Sequence, residues 1–365
     1  MKAFFYFFKK IDWLYAAPII ILLCLSLAEI YSISLGQGGA NTEFFQKQII
    51  FVVVGLAIFF FLALTDFHNF YSYSNYLYLA AVILLISVLL FGKVINGTRG
   101  WFGLFGLGLQ PVELVKTILI ICLARYFSKT SIIAQPLKHL FVTGFFSAIL
   151  MVLVMLQPDL GSAALLFAVW VIFISAVDIP KKYLLSIAGI LLVLFALAWQ
   201  FAFKDYQRER LMTYLKPSAS SSNYNVKQAI IAVGAGGMFG RGLGFGSQSQ
   251  LKFLPEANTD FIFAVIAEEL GFLGVLVVIG CFALLLFRLF SGLARSRNYF
   301  GSLIIVGGAG LIFIEMFTNI GMNMGILPVV GIPLPFVSYG GSALVSHLAL
   351  AGIIHSVTQR TVAKQ

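Results

Sequence analysis

Acid–base chemistry needs carboxylates in defined settings, and this chain offers several. Glu113 and Lys116 stand three residues apart near one end of an apolar run, a spacing that puts both on one helix face. Such a pair either locks two helices together or lines a polar cavity. An unpaired charge at the centre of a bilayer costs at least about 2.5–3.5 kcal/mol, so neither group should face lipid. Asp159 follows Pro158 and precedes Leu-Gly-Ser, which reads as the N-cap of the next helix. Asp260 closes the stretch Pro255-Glu256-Ala257-Asn258-Thr259-Asp260-Phe261. It reads either as a helix cap or as a catalytic carboxylate at the edge of a membrane cavity. Glu268 and Glu269 lie within the apolar run that follows. Adjacent helix residues point about 100° apart, so the two are expected not to share one partner face. They read as buried carboxylates that are neutral or bonded to neighbouring helices, and so do Glu29 and Glu315.

Other residues suit anions. The run GAGGMFGRGLGFG at 234–246 holds seven glycines in thirteen residues. Its backbone N–H groups could cradle phosphate. The plainer expectation is a tight re-entrant segment where only Gly fits, with Arg241 as an anion contact. Arg208 and Arg210 are further cations, and Arg pairs with diphosphate through a rigid fork. There is no P-loop, no GxGxxG between strand and helix, and no metal-ligand spacing among His68, His139, His347 and His355. Cys24, Cys122 and Cys281 are scattered in apolar runs and read as small packing residues.

The elements that must hold these groups are set by composition. Of 365 residues, 60% are hydrophobic and 10% charged, and the mean hydropathy is +0.99. A soluble domain is nearer half apolar and a quarter charged, so an ordinary soluble enzyme, a disordered chain and a disulfide scaffold are excluded. Apolar runs of roughly 20 residues predict about ten transmembrane helices. They fall near 12–35, 46–66, 75–92, 111–128, 139–157, 160–178, 183–203, 260–290, 299–325 and 342–358. The expected fold is a single all-α polytopic membrane domain over 1–365, with a large loop at 204–259 between helices 7 and 8. With the N-terminus inside, inner segments carry 13 Lys and Arg and the short outer loops three, Lys47, Lys93 and Arg99. The positive-inside rule then makes both termini cytoplasmic. The net charge of +10 fits loops facing anionic lipid, and no nucleic-acid partner is expected. With that topology the connections rich in Gly, Pro and polar residues all face outward, which puts function on the extracytoplasmic side.

Five segments together resemble the SEDS family of bacterial membrane glycosyltransferases (shape, elongation, division and sporulation). They are Arg99-Gly100-Trp101; Gln110-Pro111-Val112-Glu113 with Lys116; Gln157-Pro158-Asp159-Leu160-Gly161; FLPEANTDFIFAVIAEELG at 253–271; and NIGMNMGILPVVGIPLPFVSYGGS at 319–342. The likeness runs from about residue 12 to 358. Asp205-Tyr206-Gln207-Arg208, the GSQSQLKFLPE run at 246–256, ILPVVGIPLPF at 326–336 and short cytoplasmic ends favour the RodA-like elongation branch over the FtsW-like division branch.

That resemblance implies polymerisation of lipid II into β-1,4-linked glycan strands at the outer face of the cytoplasmic (inner) membrane. It also implies a class B penicillin-binding protein as partner and elongation machinery such as MreC and MreD. Asp260 falls on the family's catalytic aspartate, with general base as its expected role. Glu113 and Lys116 fall on its Glu–Lys pair and Asp159 on its QPD aspartate. Arg99, Arg208, Arg210, Arg241, Glu256, Ser338 and Ser342 are further candidates around the substrate cavity. Val112 and Ala343 depart from the family's serines, leaving these positions intact. No organic cofactor is expected, because the lipid diphosphate carries its own leaving group; Lys116, the arginines or a divalent cation (Mg or Mn) are candidates to balance its charge. The rival readings are a lipid flippase or transporter, which needs access from both faces, and a non-catalytic scaffold.

Overall fold

The structure is a computed structural model that describes residues 11–35, 42–95, 97–104, 107–129, 135–177, 179–180, 182–183, 189 and 221–362. Backbone groups in lipid must bond internally, so the long apolar runs fold as helices. They are α1 (Trp13–Leu35), α2 (Glu43–Leu64), α3 (His68–Phe91), α4 (Pro111–Lys129), α5 (Pro136–Met155), α6 (Leu160–Ala176), α9 (Ile262–Arg295), α10 (Tyr299–Asn323) and α11 (Gly341–Val362). The 221–261 region adds α7 (Ser221–Ala235) and the short α8 (Ser247–Gln250). Nine expected spans fall on these long helices; the one at 183–203 lies largely outside the described residues, as does the first part of the 204–259 loop. Among the described residues, seven helices are long and apolar enough to cross a membrane. The other two are α6, which has 17 residues, and α4, which carries Glu113, Lys116, Arg125 and Lys129.

The helix α10 is central, packing on α4, α6, α9 and α11. Small residues let its neighbours close in, as membrane helix interfaces require. A Cβ at Gly307 would lie 2.7 Å from Phe173 and 2.9 Å from Ile120, and one at Gly308 would lie 2.5 Å from Ile354. Outer helices turn Phe61, Phe91, Phe141 and Phe145 outward, the surface expected to meet lipid. At one end of the bundle Asp12 pairs with Arg288 at 2.6 Å and Asp66 with Arg360 at 3.3 Å. The opposite end gathers the turns at 156–160, 236–261 and 325–340. There the 93–109 connection, read from sequence as a polar loop, forms a three-stranded antiparallel sheet of β1 (Lys93–Ile95), β2 (Thr98–Leu104) and β3 (Leu107–Leu109).

The expected 260–290 span is not one straight helix. Its 34 residues would extend roughly 51 Å at 1.5 Å per residue, well beyond a hydrocarbon core. Gly271 breaks it, with φ 67° and ψ −161°. A break strands backbone groups, and the glycine run meets them. Arg241 N donates to Glu268 O (3.0 Å) and Gly242 N to Glu269 O (2.9 Å), while Phe272 N donates to Gly237 O (2.9 Å) and Leu273 N to Met238 O (3.2 Å). Such backbone-on-backbone contact leaves no room for a side chain. A Cβ at Gly236 would lie 1.8 Å from Ala267 O. The plainer expectation for this run, a tight segment where only Gly fits, matches the structure.

Glu268 and Glu269 point to different faces of α9, as their adjacency requires, and the 244–250 segment wraps around the helix to reach both. Glu268 accepts from Ser247 Oγ (3.2 Å), Gln248 N (2.9 Å) and Ser249 N (3.3 Å). Glu269 accepts from Ser32 Oγ (2.5 Å), Gly244 N (3.1 Å), Ser249 Oγ (3.2 Å) and Gln250 Nε2 (3.3 Å). The wrap, not the helix, brings the donors to both faces.

Paired alanine substitutions test this packing. Gly236→Ala should lower stability by about 3 kcal/mol or cause misfolding, because a backbone carbonyl cannot move aside. Gly234→Ala, two residues earlier and with nothing within 4 Å of its Cβ, should be neutral or stabilising by up to about 1 kcal/mol. Thermal unfolding of the detergent-solubilised protein reads both; equal effects would show that the close approach is absent.

Candidate active site

The polar turns at the sheet-bearing end are laced together by main-chain contacts. Arg99 N donates to Gln157 O (3.2 Å), joining β2 to the 156–159 turn. Asp159 caps α6, accepting from Ser162 N (3.0 Å) and Ser162 Oγ (2.7 Å), and it also accepts from Gln110 Nε2 (3.2 Å). Gln110 N in turn donates to Ser342 Oγ (2.7 Å) at the start of α11. Ser338 Oγ donates to Thr259 O (2.6 Å) and accepts from Leu334 N (2.8 Å), and Tyr339 N donates to Asn258 O (2.8 Å). Four segments far apart in sequence thus form one surface, with the 325–340 connection running between the Asp159 and Asp260 turns.

Asp260 is half-buried in the turn that leads into α9. The helix begins at Ile262 with Phe261 as its N-cap, so Asp260 stands one residue ahead of the cap position. Its carbonyl accepts from Asn319 Nδ2 (3.1 Å) and Asn323 Nδ2 (2.9 Å). A Cβ at Gly331 would lie 3.5 Å from Asp260 Oδ2, which puts that backbone against the carboxylate. Glu256 is exposed, at φ 52°, and accepts from the Thr259 hydroxyl at 3.1 Å.

Deeper in the bundle, Lys116 is 1% exposed. Its Nζ lies 2.8 Å from Glu113 and 2.5 Å from Glu315, and the second carboxylate oxygen of Glu315 lies 2.5 Å from His347 Nε2. This cluster joins α4, α10 and α11. Of the two readings of the Glu113–Lys116 pair, the lock describes this structure. Lys116 is enclosed by two carboxylates, Glu113 and Glu315. Glu113, Glu315 and His347 sit close enough to hold a metal ion. Lys116 already supplies a cation between the two carboxylates, so the set does not fit a divalent ion while that ammonium is charged.

Arg99 and Arg241 are exposed. Arg241 donates to Ala235 O (3.3 Å) and Ser247 Oγ (3.0 Å), so it also braces the glycine run. Arg208 and Arg210 lie outside the described residues. Sequence reasoning missed Asn319 and Asn323, and read Glu315 without its partners. The signal was present: Glu315, Asn319 and Asn323 recur every fourth residue, one face of a helix.

Comparison with known proteins bears on the family and the fold. The family model FTSW_RODA_SPOVE, described as cell cycle protein, matches residues 12–363. The chain is 36% identical over 358 residues to peptidoglycan glycosyltransferase MrdB of Escherichia coli K12, covering 96% of this chain and 95% of that one. It superposes with a TM-score of 0.82, at 28% identity, on a chain solved in work on a peptidoglycan synthase complex that coordinates polymerization and crosslinking, covering 96% and 98% of the two chains. The rod shape determining protein RodA of Thermus thermophilus gives a TM-score of 0.72 at 28% identity, covering 95% and 96%.

Removing the buried cation tests the lock. Lys116→Met leaves Glu113 and Glu315 without counter-charge and should cost about 3–5 kcal/mol. Glu113→Gln should cost less, since Glu315 keeps its ammonium and His347. Thermal unfolding of each variant in detergent checks the order; a Lys116→Met protein as stable as wild type would show that the cluster does not hold the helices.

Proposed function

The chain belongs to the FtsW/RodA/SpoVE family of cell cycle proteins, and from this premise we infer that it is a peptidoglycan glycosyltransferase of the elongation type, a multi-pass membrane enzyme. The observation that carries the reading is the likeness to MrdB over 96% of the chain, joined to the gathering of the family motifs into one surface at one end of the bundle. The substrate is lipid II, and the product is a β-1,4-linked glycan strand for elongation and rod shape. The working surface faces outward from the cytoplasmic (inner) membrane, with both termini in the cytoplasm. A class B penicillin-binding protein is the partner that crosslinks the strand, with MreC and MreD as further members of the machinery.

The chemistry follows from the groups present. The acceptor is a sugar 4-hydroxyl, a weak nucleophile until its proton is taken. Asp260 is the proposed general base, worth about 10²–10⁴-fold when its oxygen comes within roughly 2.6–3.2 Å of that hydroxyl. Attack at C1 opposite the departing diphosphate inverts the α-linked donor to a β bond. The leaving group draws on positive charge: exposed Arg99 and Arg241, Arg208 and Arg210 of the long loop in the sequence, Lys116, or a divalent cation carried with the substrate. Asp159 and Ser342 position the turns around the reacting groups, and Ser338 and Glu256 shape the turn that carries Asp260. Glu113 and Lys116 support that surface from below.

The test is polymerisation of lipid II by the protein purified with its transpeptidase partner, with crosslinking blocked and Mg or Mn supplied. Wild type should give long glycan strands on a gel, and folded Asp260→Ala should be slower by at least about 10²-fold. Equal polymer from both would remove Asp260 as base. Lipid II crossing liposomes without any polymer would favour the flippase instead.

A further inference from the structure

The residue that ties the proposed base to the loop facing it is not one of the sequence motifs' charged groups. We propose that Asn319 is the positioning residue for Asp260: its side-chain amide bridges the Asp260 peptide and the 331–332 peptide, and so sets the gap in which the acceptor hydroxyl meets the carboxylate. This rests on the reading of Asp260 as base.

Asn319 is fully buried on α10. Its Nδ2 donates to Asp260 O (3.1 Å) and to Ile332 O (2.8 Å). An amide nitrogen has two hydrogens, and both are used. Both partners are carbonyls, so only the NH₂ end can face them, which fixes the orientation of the amide. Its Oδ1 accepts from Asn323 Nδ2 (3.3 Å). Asn323 also donates to Asp260 O (2.9 Å), and its own Oδ1 accepts from Ala264 N (3.2 Å) in the first turn of α9. One turn away on α10, Glu315 is held by Lys116 and His347.

The geometry gives the bridge its consequence. Gly331, next to the bridged Ile332, lies against Asp260 Oδ2, and Val330 O lies 2.5 Å from where a Cβ on Gly161 would stand, beside the Asp159 turn. Lengthening or freeing the bridge therefore changes the space beside the carboxylate. Misplacement by about 1 Å costs on the order of 10²-fold in rate.

The experiment is steady-state polymerisation of lipid II by wild type, Asn319→Leu, Asn319→Ser and Asp260→Ala, each purified with the transpeptidase partner and checked for folding by thermal unfolding. Asn319→Leu should lower kcat about 10²-fold with KM for lipid II within about threefold. Asn319→Ser keeps one donor but cannot bridge both carbonyls; it should lower kcat about tenfold with the same unchanged KM, and it carries the test if the leucine protein does not fold. Wild-type kcat in a folded variant, or a rise in KM with kcat intact, overturns the positioning role. If Asp260→Ala is inactive and the Asn319 variants are normal, the bridge alone fails. If Asp260→Ala is fully active, the base assignment fails and takes the bridge with it.

Discussion

An ammonium placed inside a membrane-spanning bundle must bring its counter-charge with it, and in doing so Lys116 ties three helices. Glu113 shares its helix and Glu315 comes from α10, where His347 from α11 holds the second carboxylate oxygen. Taking such charges out of water costs several kcal/mol per ion, and the attraction between them offsets this only when the geometry is good. The cluster is therefore a weak source of net stability and a strong constraint on register. Sliding α10 by one residue would turn Glu315 away by about 100° and part it from both Lys116 and His347. Leucines in the same places would pack well and tolerate such a slip.

That register reaches the sheet-bearing end through α10 itself. Glu315, Asn319 and Asn323 share one face, so whatever fixes the first fixes the others. The helix ends at Asn323, and its last two polar side chains grip backbone carbonyls of the turns above it. A second device works from the side. The break at Gly271 leaves donors and acceptors that the glycine run completes, and Glu268 and Glu269 hold the 244–250 segment in place with side-chain oxygens. Irregular backbone at the membrane boundary persists because it is bonded to the bundle rather than left to lipid.

Much of this was legible in the residue order, and the limits are physical. Apolar runs located the long helices, because burial in lipid dictates both length and composition. The Asp159 cap was legible because Pro-Asp-Leu-Gly-Ser states its own local geometry. The glycine run announced a close approach without saying to what; the partner, Ala267 to Leu273, lies some thirty residues away and is set by tertiary packing. The different faces of Glu268 and Glu269 were legible from helix geometry, but the loop that wraps both was not, since helix geometry limits where side chains point and not what reaches them. The 93–109 sheet was missed because its strands are short and rich in glycine, with little alternation to read. His347 as a partner of Glu315 was beyond reach, since no local pattern relates α10 to α11.

The way the structure treats each acidic residue bears on which one can move a proton. Glu113 and Glu315 neutralise Lys116, and Glu268 and Glu269 are engaged by seven hydrogen bonds from the 244–250 segment and Ser32. Asp159 caps a helix through both its oxygens. A carboxylate whose lone pairs are committed to fixed donors is a poor base, because accepting a proton breaks those bonds. At the Asp260 turn the two asparagines take the main-chain carbonyl. The turn leading into α9 is therefore held through its backbone, and Asn323 also holds the first turn of that helix by accepting from Ala264 N.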